Sequence, residues 1–376
     1  MITYGIDGSA LLKPYPTGVE RYVVELLSAM MTMPLNLNDE RVIIYASKAK
    51  PPTLALPAGW EWKVLGFWLP KGWTHLRLSL ELLWRPPEVF FNPAHEIPLF
   101  HRRVKIVTTV HDVVFRHVPA AYSPRNLRRQ EWAIKRIVTQ AETILAVSEA
   151  TKTDLVEIYK VPEDKLCVTP LARPVSTIAS RPAEQVLLKY ALTPGMYVLF
   201  VSRVEAKKNP VTLIRAFIEL RRRYGIGHPL KLVLAGSLGF GSATAVQAAK
   251  SSNCAPDIVF LGYVPDEDIP ALMEHALCFA FPSLGEGFGL PVLEAMSYGT
   301  PVIASDIKAL REVAGEAAMF VPPLDTTQWT VALDTILINQ NRRQQLTALG
   351  RERVNMFSWQ QTAAATWRAL RATAHA

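Results

Sequence analysis

The chain has 376 residues, of which 49 % are hydrophobic and 20 % charged, with a formal net charge of +8 and only three cysteines. Its length exceeds one typical core and suits two domains of about 180 residues each. Cys167, Cys254 and Cys278 lack metal spacing and cannot form an even disulfide framework, so they read as buried thiols of a reducing cytoplasm. No signal core and no run of about 18 apolar residues occurs, which leaves a soluble or membrane-peripheral protein.

The first predicted element is a strand over residues 1–8. A helix opens at Thr17-Gly18-Val19, and Val19, Tyr22, Val23, Leu26, Leu27 and Met30 recur at helical spacing as one buried face. A strand, a glycine-containing loop and a helix N-terminus make a place that suits an anion, a plain tight turn being the alternative. Strands follow over residues 42–46 and 62–65. Continuous apolar runs separated by helical stretches predict a parallel sheet covered on both faces. Core packing accounts for Trp73 and Trp84 better than stacking on a sugar does. Beyond the strand at 89–93, a buried strand over 104–112 ends in His111-Asp112, at the edge where open α/β sheets bind ligands.

Residues 124–141 have a helical pattern with Arg125, Arg128, Arg129, Trp132, Lys135 and Arg136 in an arc of about 120°, opposite Leu127, Ile134 and Val138. Residues 101–150 hold nine Lys or Arg against four Asp or Glu. This basic face suits an anionic membrane surface or a lipid diphosphate, or is simply the solvated side of a core helix; no nucleic-acid recognition module accompanies it. Strands at 144–149, leading to a helix capped near Ser148, and at 166–170 complete the first half. Residues 173–182 lose periodicity and carry two prolines, which marks the interdomain linker.

In the second half a strand over 197–201 empties into Arg203, Lys207 and Lys208. Fixed cations at a strand end can neutralise a leaving diphosphate, a task that in other architectures falls to a metal. Strands at 232–236 and 258–264 follow. Asp266-Glu267-Asp268 imitates a metal-binding pair but reads as a cap and first-turn acids for the helix beginning at Ile269. The glycines of 236–241 fail the dinucleotide spacing. Strands at 301–305 and 319–323 precede a final amphipathic segment, 359–372.

The organising stretch is 281–299, a strand, a glycine-rich turn and a helix. Pro291 suits the first helical position, which puts Glu294 in the first turn and Glu286 on the loop before it. Gly285, Gly287 and Gly289 let the backbone approach a ligand, and the helix N-terminus attracts a phosphate. Carboxylates beside such a site serve as acceptors for the hydroxyls of a sugar or ribose. The residues describe a nucleotide-sugar pocket.

The spacing of Glu286 and Glu294 within this text resembles the glutamate-x7-glutamate signature of retaining glycosyltransferases of family 4, and the resemblance covers nearly the whole chain, most strongly 261–325. It implies an α/β GT-B fold of two Rossmann-like doubly wound parallel-sheet domains facing an interdomain cleft. Residues 1–178, joined by a C-terminal helix at 357–376, would bind the acceptor, and residues 179–356 the nucleotide sugar. The resemblance further implies Glu286 and His111 on the transferred sugar, with Asp112 as orienting partner, and Arg203 and Lys208 on the diphosphate. Glu294 would hold the ribose. Gly18 would lie in the loop that closes over the diphosphate, Gly287, Phe288, Gly289 and Leu290 in the donor turn, and Tyr263 and Val264 against the base. Ser202 stands where glycine is common, and Arg311 where proline is frequent. No metal and no cofactor beyond the nucleotide-sugar co-substrate is expected.

Members with this pattern often use GDP-mannose or a related GDP-hexose in bacterial surface polysaccharide. The expected function is therefore hexosyl transfer, as mannosyltransferase, to a lipid-linked or oligosaccharide acceptor of O-antigen-type lipopolysaccharide. The expected place is cytoplasmic, peripheral at the inner face of the membrane through the 125–136 helix. UDP-sugars remain open as donors, and an epimerase and a non-catalytic sugar-nucleotide-binding scaffold are the rivals from other classes.

Overall fold

The computed structural model describes residues 1–13, 18–67, 72–101, 103–174, 180–225 and 227–376. The middle of the expected linker, 175–179, therefore lies outside the described residues. The chain forms two compact units. One comprises Met1–Val113, Arg128–Pro174 and Ser358–Ala376, and the other Val114–Leu127 and Val175–Phe357. Among the described residues no helix is long and apolar enough to cross a membrane.

The first unit is built on seven parallel strands, β1 (Ile2–Asp7), β2 (Glu40–Ala46), β3 (Trp60–Val64), β4 (Val89–Asn92), β5 (Lys105–Val110), β6 (Thr143–Ala146) and β7 (Leu166–Val168), in the order β3-β2-β1-β4-β5-β6-β7. Burial on both faces explains why β2 reads as an unbroken apolar run: Val42 to Ala46 are all buried. The helix Gly18–Met31 buries Tyr22, Val23, Leu26, Leu27 and Met30 as expected, while Val19 is only partly covered.

The C-terminal helix Trp359–His375 belongs to this unit. Its Trp367 ring meets Tyr4 and Trp60 edge-on at 5.4 and 6.0 Å, and Arg371 makes a two-pronged pair with Glu40 at 2.7 and 2.9 Å. Trp359 donates its indole N–H to the Arg173 carbonyl. The expected core role of Trp84 is not realised, because its side chain is 77 % exposed. Trp73 is partly buried and donates to the Leu65 carbonyl at 2.8 Å. Cys254 and Cys278 are buried, but Cys167 is only partly so.

The second unit carries six parallel strands, β8 (Tyr197–Val201), β9 (Lys231–Ala235), β10 (Ile258–Gly262), β11 (Cys278–Phe281), β12 (Val302–Ser305) and β13 (Ala318–Val321), in the order β10-β9-β8-β11-β12-β13. Both sheets have the doubly wound order, which reverses direction between β1 and β4 in one and between β8 and β11 in the other. Loops leaving the carboxyl ends of those strand pairs border a crevice, the usual ligand position in such sheets.

Asp268 departs from expectation. It precedes the helix Ile269–Glu274, yet its side chain makes no cap. The carboxylate is fully buried and accepts from Lys189 Nζ at 2.7 Å, Tyr190 Oη at 2.8 Å and Arg181 Nη1 at 3.1 Å. Three tertiary donors outcompete the local backbone, so this acid ties the start of the second unit to the segment after β10.

Candidate functional site

In the second unit the loops after β8 and β11 run side by side at the switch point. Leu284 N–H donates to the Lys207 carbonyl at 2.9 Å, and Ser283 Oγ reaches that carbonyl and the Gly285 carbonyl at 3.3 and 3.1 Å. Asn209 locks the pair of loops. It is buried in the left-handed conformation (φ +52°) and donates through Nδ2 to the Pro282 and Pro323 carbonyls at 3.1 and 2.7 Å. Its Oδ1 accepts from Thr212 at 2.9 Å.

This clamp brings two of the expected residues together. Lys208 Nζ lies 2.6 Å from Glu286 Oε1 and 5.1 Å from the centre of the Phe281 ring, with the two side chains only 13 % and 9 % exposed. A pair this dry holds a fixed geometry. The ammonium retains donors for a further anion, and the carboxylate retains an oxygen for a hydroxyl.

Arg203 is mostly exposed and 3.9 Å from the Glu205 carboxylate. Glycines that failed the dinucleotide spacing support its loop: Val204 N–H donates to Ser237, Gly239 N–H to Val204, and Ala206 N–H to Phe240, at 2.8 to 3.0 Å. Gly236 (φ +144°) is required there, since a Cβ would stand 2.0 Å from the Ser202 carbonyl oxygen. The readable signal is a glycine directly after β9, in a run whose spacing matches no dinucleotide fingerprint.

The helix after β11 spans Leu290–Ser297, so Pro291 is its second residue and Glu294 begins the second turn, one position later in the helix than expected. Gly289 (φ +112°) turns the chain into the helix early, and a Cβ on it would lie 2.4 Å from Leu310 Cδ2. The cap residue Gly289 has no side chain to cap with, Pro291 has no N–H, and the Val292 and Leu293 N–H groups donate to the Gly289 carbonyl, so Leu290 carries the N–H this helix start offers a ligand. Gly287 and Phe288 are buried, and the Phe288 ring packs edge-on against Phe357 at 5.6 Å, so only its backbone can serve a ligand. Leu290 and Glu294 are partly buried. Tyr263, just beyond β10, is largely exposed and Val264 buried.

In the first unit the switch point holds Asp7, whose carboxyl is pushed up by burial. It accepts from Ser9 N–H, Asn92 Nδ2 and Thr74 Oγ1 at 2.9, 3.2 and 3.3 Å. His111 follows β5. Its Nε2 is 2.9 Å from the Pro93 carbonyl oxygen and therefore carries a proton, and its backbone N–H donates to His95 Nδ1 at 3.2 Å. The rings of His95 and His111 stack at 6.4 Å, and Tyr22 meets His111 edge-on at 4.7 Å. Burial, then the neighbouring His111, pushes His95 down to about 4, and burial lowers His111 as well. Both rings are neutral at neutral pH. Sequence reasoning missed His95, which lies three residues beyond β4, past Pro93, rather than directly at a strand end. Gly18 is the first residue of its helix, and a Cβ there would meet open space.

The basic helix spans Pro124–Gln140 and buries Ile134 and Ile137. Arg125, Arg128, Arg129, Trp132 and Lys135 are exposed; Arg136 folds back on the Ile97, Pro98 and Leu99 carbonyls.

Residues 16–173 match the pattern of Glycosyltransferase Family 4 and residues 192–353 that of Glycosyl transferases group 1. O-antigen chain mannosyltransferase B of Escherichia coli is 33 % identical over 278 residues, 72 % of this chain and 71 % of that protein. Sucrose-phosphate synthase from Thermosynechococcus elongatus superposes with a TM-score of 0.74 over 99 % of both chains at 18 % identity. HepE of Anabaena, in complex with UDP-glucose, superposes with a TM-score of 0.72 over 99 % of this chain and 100 % of its own at 16 % identity. At such identities the structural likeness shows the fold. The sequence relationship goes further, and the chain belongs to glycosyltransferase family 4, a nucleotide-sugar-dependent glycosyltransferase of GT-B fold.

Proposed function

We propose that the protein transfers a hexose, mannose or a related GDP-hexose, with retention of configuration, to a lipid-linked or oligosaccharide acceptor in bacterial surface-polysaccharide synthesis. The observation that carries the reading is the Lys208–Glu286 pair at the switch point of the second sheet, beside a helix N-terminus without a side-chain cap. Similarity to an O-antigen mannosyltransferase supports the choice of sugar and pathway.

In this reading residues 179–356 bind the donor, and residues 1–178 with 357–376 bind the acceptor. The bond from the sugar's anomeric carbon to the diphosphate breaks as a bond to the acceptor oxygen forms on the same face, and the acceptor's proton passes to the departing phosphate oxygen. Charge develops on that oxygen. Lys208, Arg203 and the backbone N–H groups entering the helix Leu290–Ser297 meet it with fixed positive charge. Because Lys208 also holds one Glu286 oxygen, the other stays aimed at the hexose hydroxyls. His111, neutral, hydrogen-bonds the hexose without adding charge beside the reacting carbon. Glu294 takes the ribose hydroxyls, Tyr263 and Val264 border the base, Gly287 to Leu290 approach the diphosphate, and Gly18, whose preceding residues 14–17 lie outside the described residues, stands by the donor at the start of its helix.

Thermal unfolding with a panel of GDP- and UDP-sugars tests the reading, since a ligand at a hundred times its Kd stabilises by about 2.7 kcal/mol. The expected result is selective stabilisation by GDP-mannose or a related GDP-hexose, lost in Glu294→Ala, with an axial anomeric product by NMR. Selectivity for UDP-sugars overturns the donor, and silence toward every nucleotide overturns the enzyme assignment of these residues.

A further inference from the structure

Asn92, the last residue of β4, is 1 % exposed, and both polar atoms of its side chain have partners. Its Oδ1 accepts the Ala94 N–H at 2.7 Å, which closes an Asx turn over Pro93. Its Nδ2 donates at 3.2 Å to Asp7 Oδ2, at the end of the neighbouring strand β1. Asp7 is anchored in turn, since Oδ1 accepts from the Ser9 N–H at 2.9 Å and Oδ2 from Thr74 Oγ1 at 3.3 Å. The Asn92 backbone is pinned as well, because its carbonyl accepts from Thr108 Oγ1 of β5 at 2.9 Å.

His111 rests against the turn that this clip holds. Pro93 has no N–H to pair, so the Asn92 side chain supplies the hydrogen bond that strand pairing does not. Pro93 presents its carbonyl to His111 Nε2 at 2.9 Å, and His95, at φ +65°, turns Nδ1 to the His111 backbone N–H at 3.2 Å. Tyr22 meets the His111 ring edge-on at 4.7 Å and is itself tied to Thr109 Oγ1 at 2.9 Å. A carbonyl only accepts, so the ring proton sits on Nε2 and Nδ1 keeps a lone pair. With the Nε2 proton committed, Nδ1 is the ring atom left for a ligand hydroxyl, and it meets that hydroxyl as an acceptor.

We propose that Asn92 is a positioning residue of the transfer reaction: by holding the 93–95 turn it keeps His111 in the Nε2–H form, with Nδ1 presented as an acceptor to a hydroxyl of the donor sugar. Asn92 acts only through the turn, and its bond to Asp7 fixes the direction in which its own amide points. A turn displaced by about 1 Å would release both the tautomer and the ring orientation, and errors of that size near a reacting centre cost about 10²-fold in rate. The inference rests on the proposed function for the contact between His111 and the sugar, whereas the tautomer is a property of the protein alone.

The test joins a spectrum to a kinetic cycle. In 15N NMR of the full chain labelled at histidine, without substrate, the His111 signals are those missing from His111→Ala. In the wild type they are expected to show one protonated and one bare nitrogen, with the proton on Nε2. In Asn92→Ala the two signals should move toward each other as tautomers exchange. The same variant should lower kcat about 10- to 100-fold while donor KM changes less than about threefold. In a His111→Ala background, Asn92→Ala is expected to lower kcat by less than about twofold, whereas a residue that merely supports the fold would cost as much there as in the wild type. Asn92→Ser, whose hydroxyl can still accept the Ala94 N–H, should fall between wild type and Asn92→Ala on both readouts, and it replaces Asn92→Ala should that variant fold poorly. Unchanged ring signals, an unchanged kcat, an equal loss in the two backgrounds, or a wild-type His111 protonated on Nδ1 would each overturn the proposal. A wild-type protein without transferase activity would overturn the proposed function and this role in it, and the ring signals alone would then decide whether Asn92 sets the tautomer.

Discussion

Lys208 Nζ lies 2.6 Å from Glu286 Oε1, and the two side chains belong to loops that leave neighbouring strands of one sheet. The pair is thus set by topology. Neither loop alone would place its charge in so dry a position without an opposite charge from the other.

Removing one partner should hurt both function and stability. Lys208→Met and Glu286→Gln are each expected to lower the transfer rate by about 10² to 10³, the size of one lost charge-stabilising contact. Breaking a fully buried pair costs about 3–5 kcal/mol, and residual solvent at this site reduces that figure. Lys208→Met should therefore be less stable in urea than Lys208→Met/Glu286→Gln, while neither recovers the wild-type transfer rate. Equal midpoints would mean that solvent already satisfies Glu286.

Asn209 carries the clamp, and two substitutions separate its conformation from its hydrogen bonds. Gly tolerates φ +52° but abandons the Pro282 and Pro323 carbonyls, whereas Ala also adds strain of about 1–2 kcal/mol in the left-handed region. Each orphaned buried acceptor costs about 1–3 kcal/mol. Both variants should lose transfer activity with donor KM raised, and Asn209→Ala should be the less stable. Wild-type kinetics in Asn209→Gly would show that the clamp does not hold the Lys208–Glu286 geometry.

Much of this was legible beforehand and some was not. Strands such as β2 and β8 read directly as unbroken apolar runs because covered parallel sheets bury both faces. The two glutamates and the Arg203-to-Lys208 loop stood out as charges at strand ends. What escaped depends on contacts distant in sequence. Asp268 reads as a cap, whereas Arg181, Lys189 and Tyr190 claim it, and nothing in the local pattern singles out Asn209, whose Nδ2 reaches acceptors 73 and 114 positions away. Local pattern gives no sign of such pairings. Trp84 misled for the opposite reason, since composition favours burial, yet it ends a helix that buries Leu78, Ser79, Glu81 and Leu82 and stands exposed itself.

Gly289 sets where the helix Leu290–Ser297 begins. Ala at this position meets both the strain of φ +112° and Leu310 Cδ2 at 2.4 Å. Gly289→Ala should raise donor KM more than it changes stability, because the displaced backbone carries the Leu290 N–H that the proposed function turns toward the donor diphosphate. Adding Leu310→Ala removes the clash and leaves the dihedral strain, so it should restore only part of the affinity. Full restoration by the second change would mean the positive φ is immaterial; no KM effect in the single variant would separate this turn from donor binding.

The stacked His95 and His111 give the first unit a defined response to acid. Burial and the His111 ring hold His95 near 4, against about 6.5 in an unfolded chain. Between those values the unfolded state binds more protons, so stability is full above about 6.5 and falls as pH drops toward 4, by up to about 1.4 kcal/mol per unit. Glu40 acts in a lower window. Hydrogen bonds from Arg371 keep its carboxyl below the usual range despite burial, and that contribution disappears only as pH falls through the lowered value. His95→Asn isolates the upper window, because Asn tolerates φ +65° and its Oδ1 can accept the His111 N–H. Urea unfolding should place the variant about 2 kcal/mol higher at pH 5, relative to wild type, than at pH 7. A shallower slope that persists in the variant belongs to His111, which burial also lowers. Parallel pH profiles for the two proteins would instead mean that His95 is protonated in the folded state by pH 5 and that the stacked pair does not stay neutral.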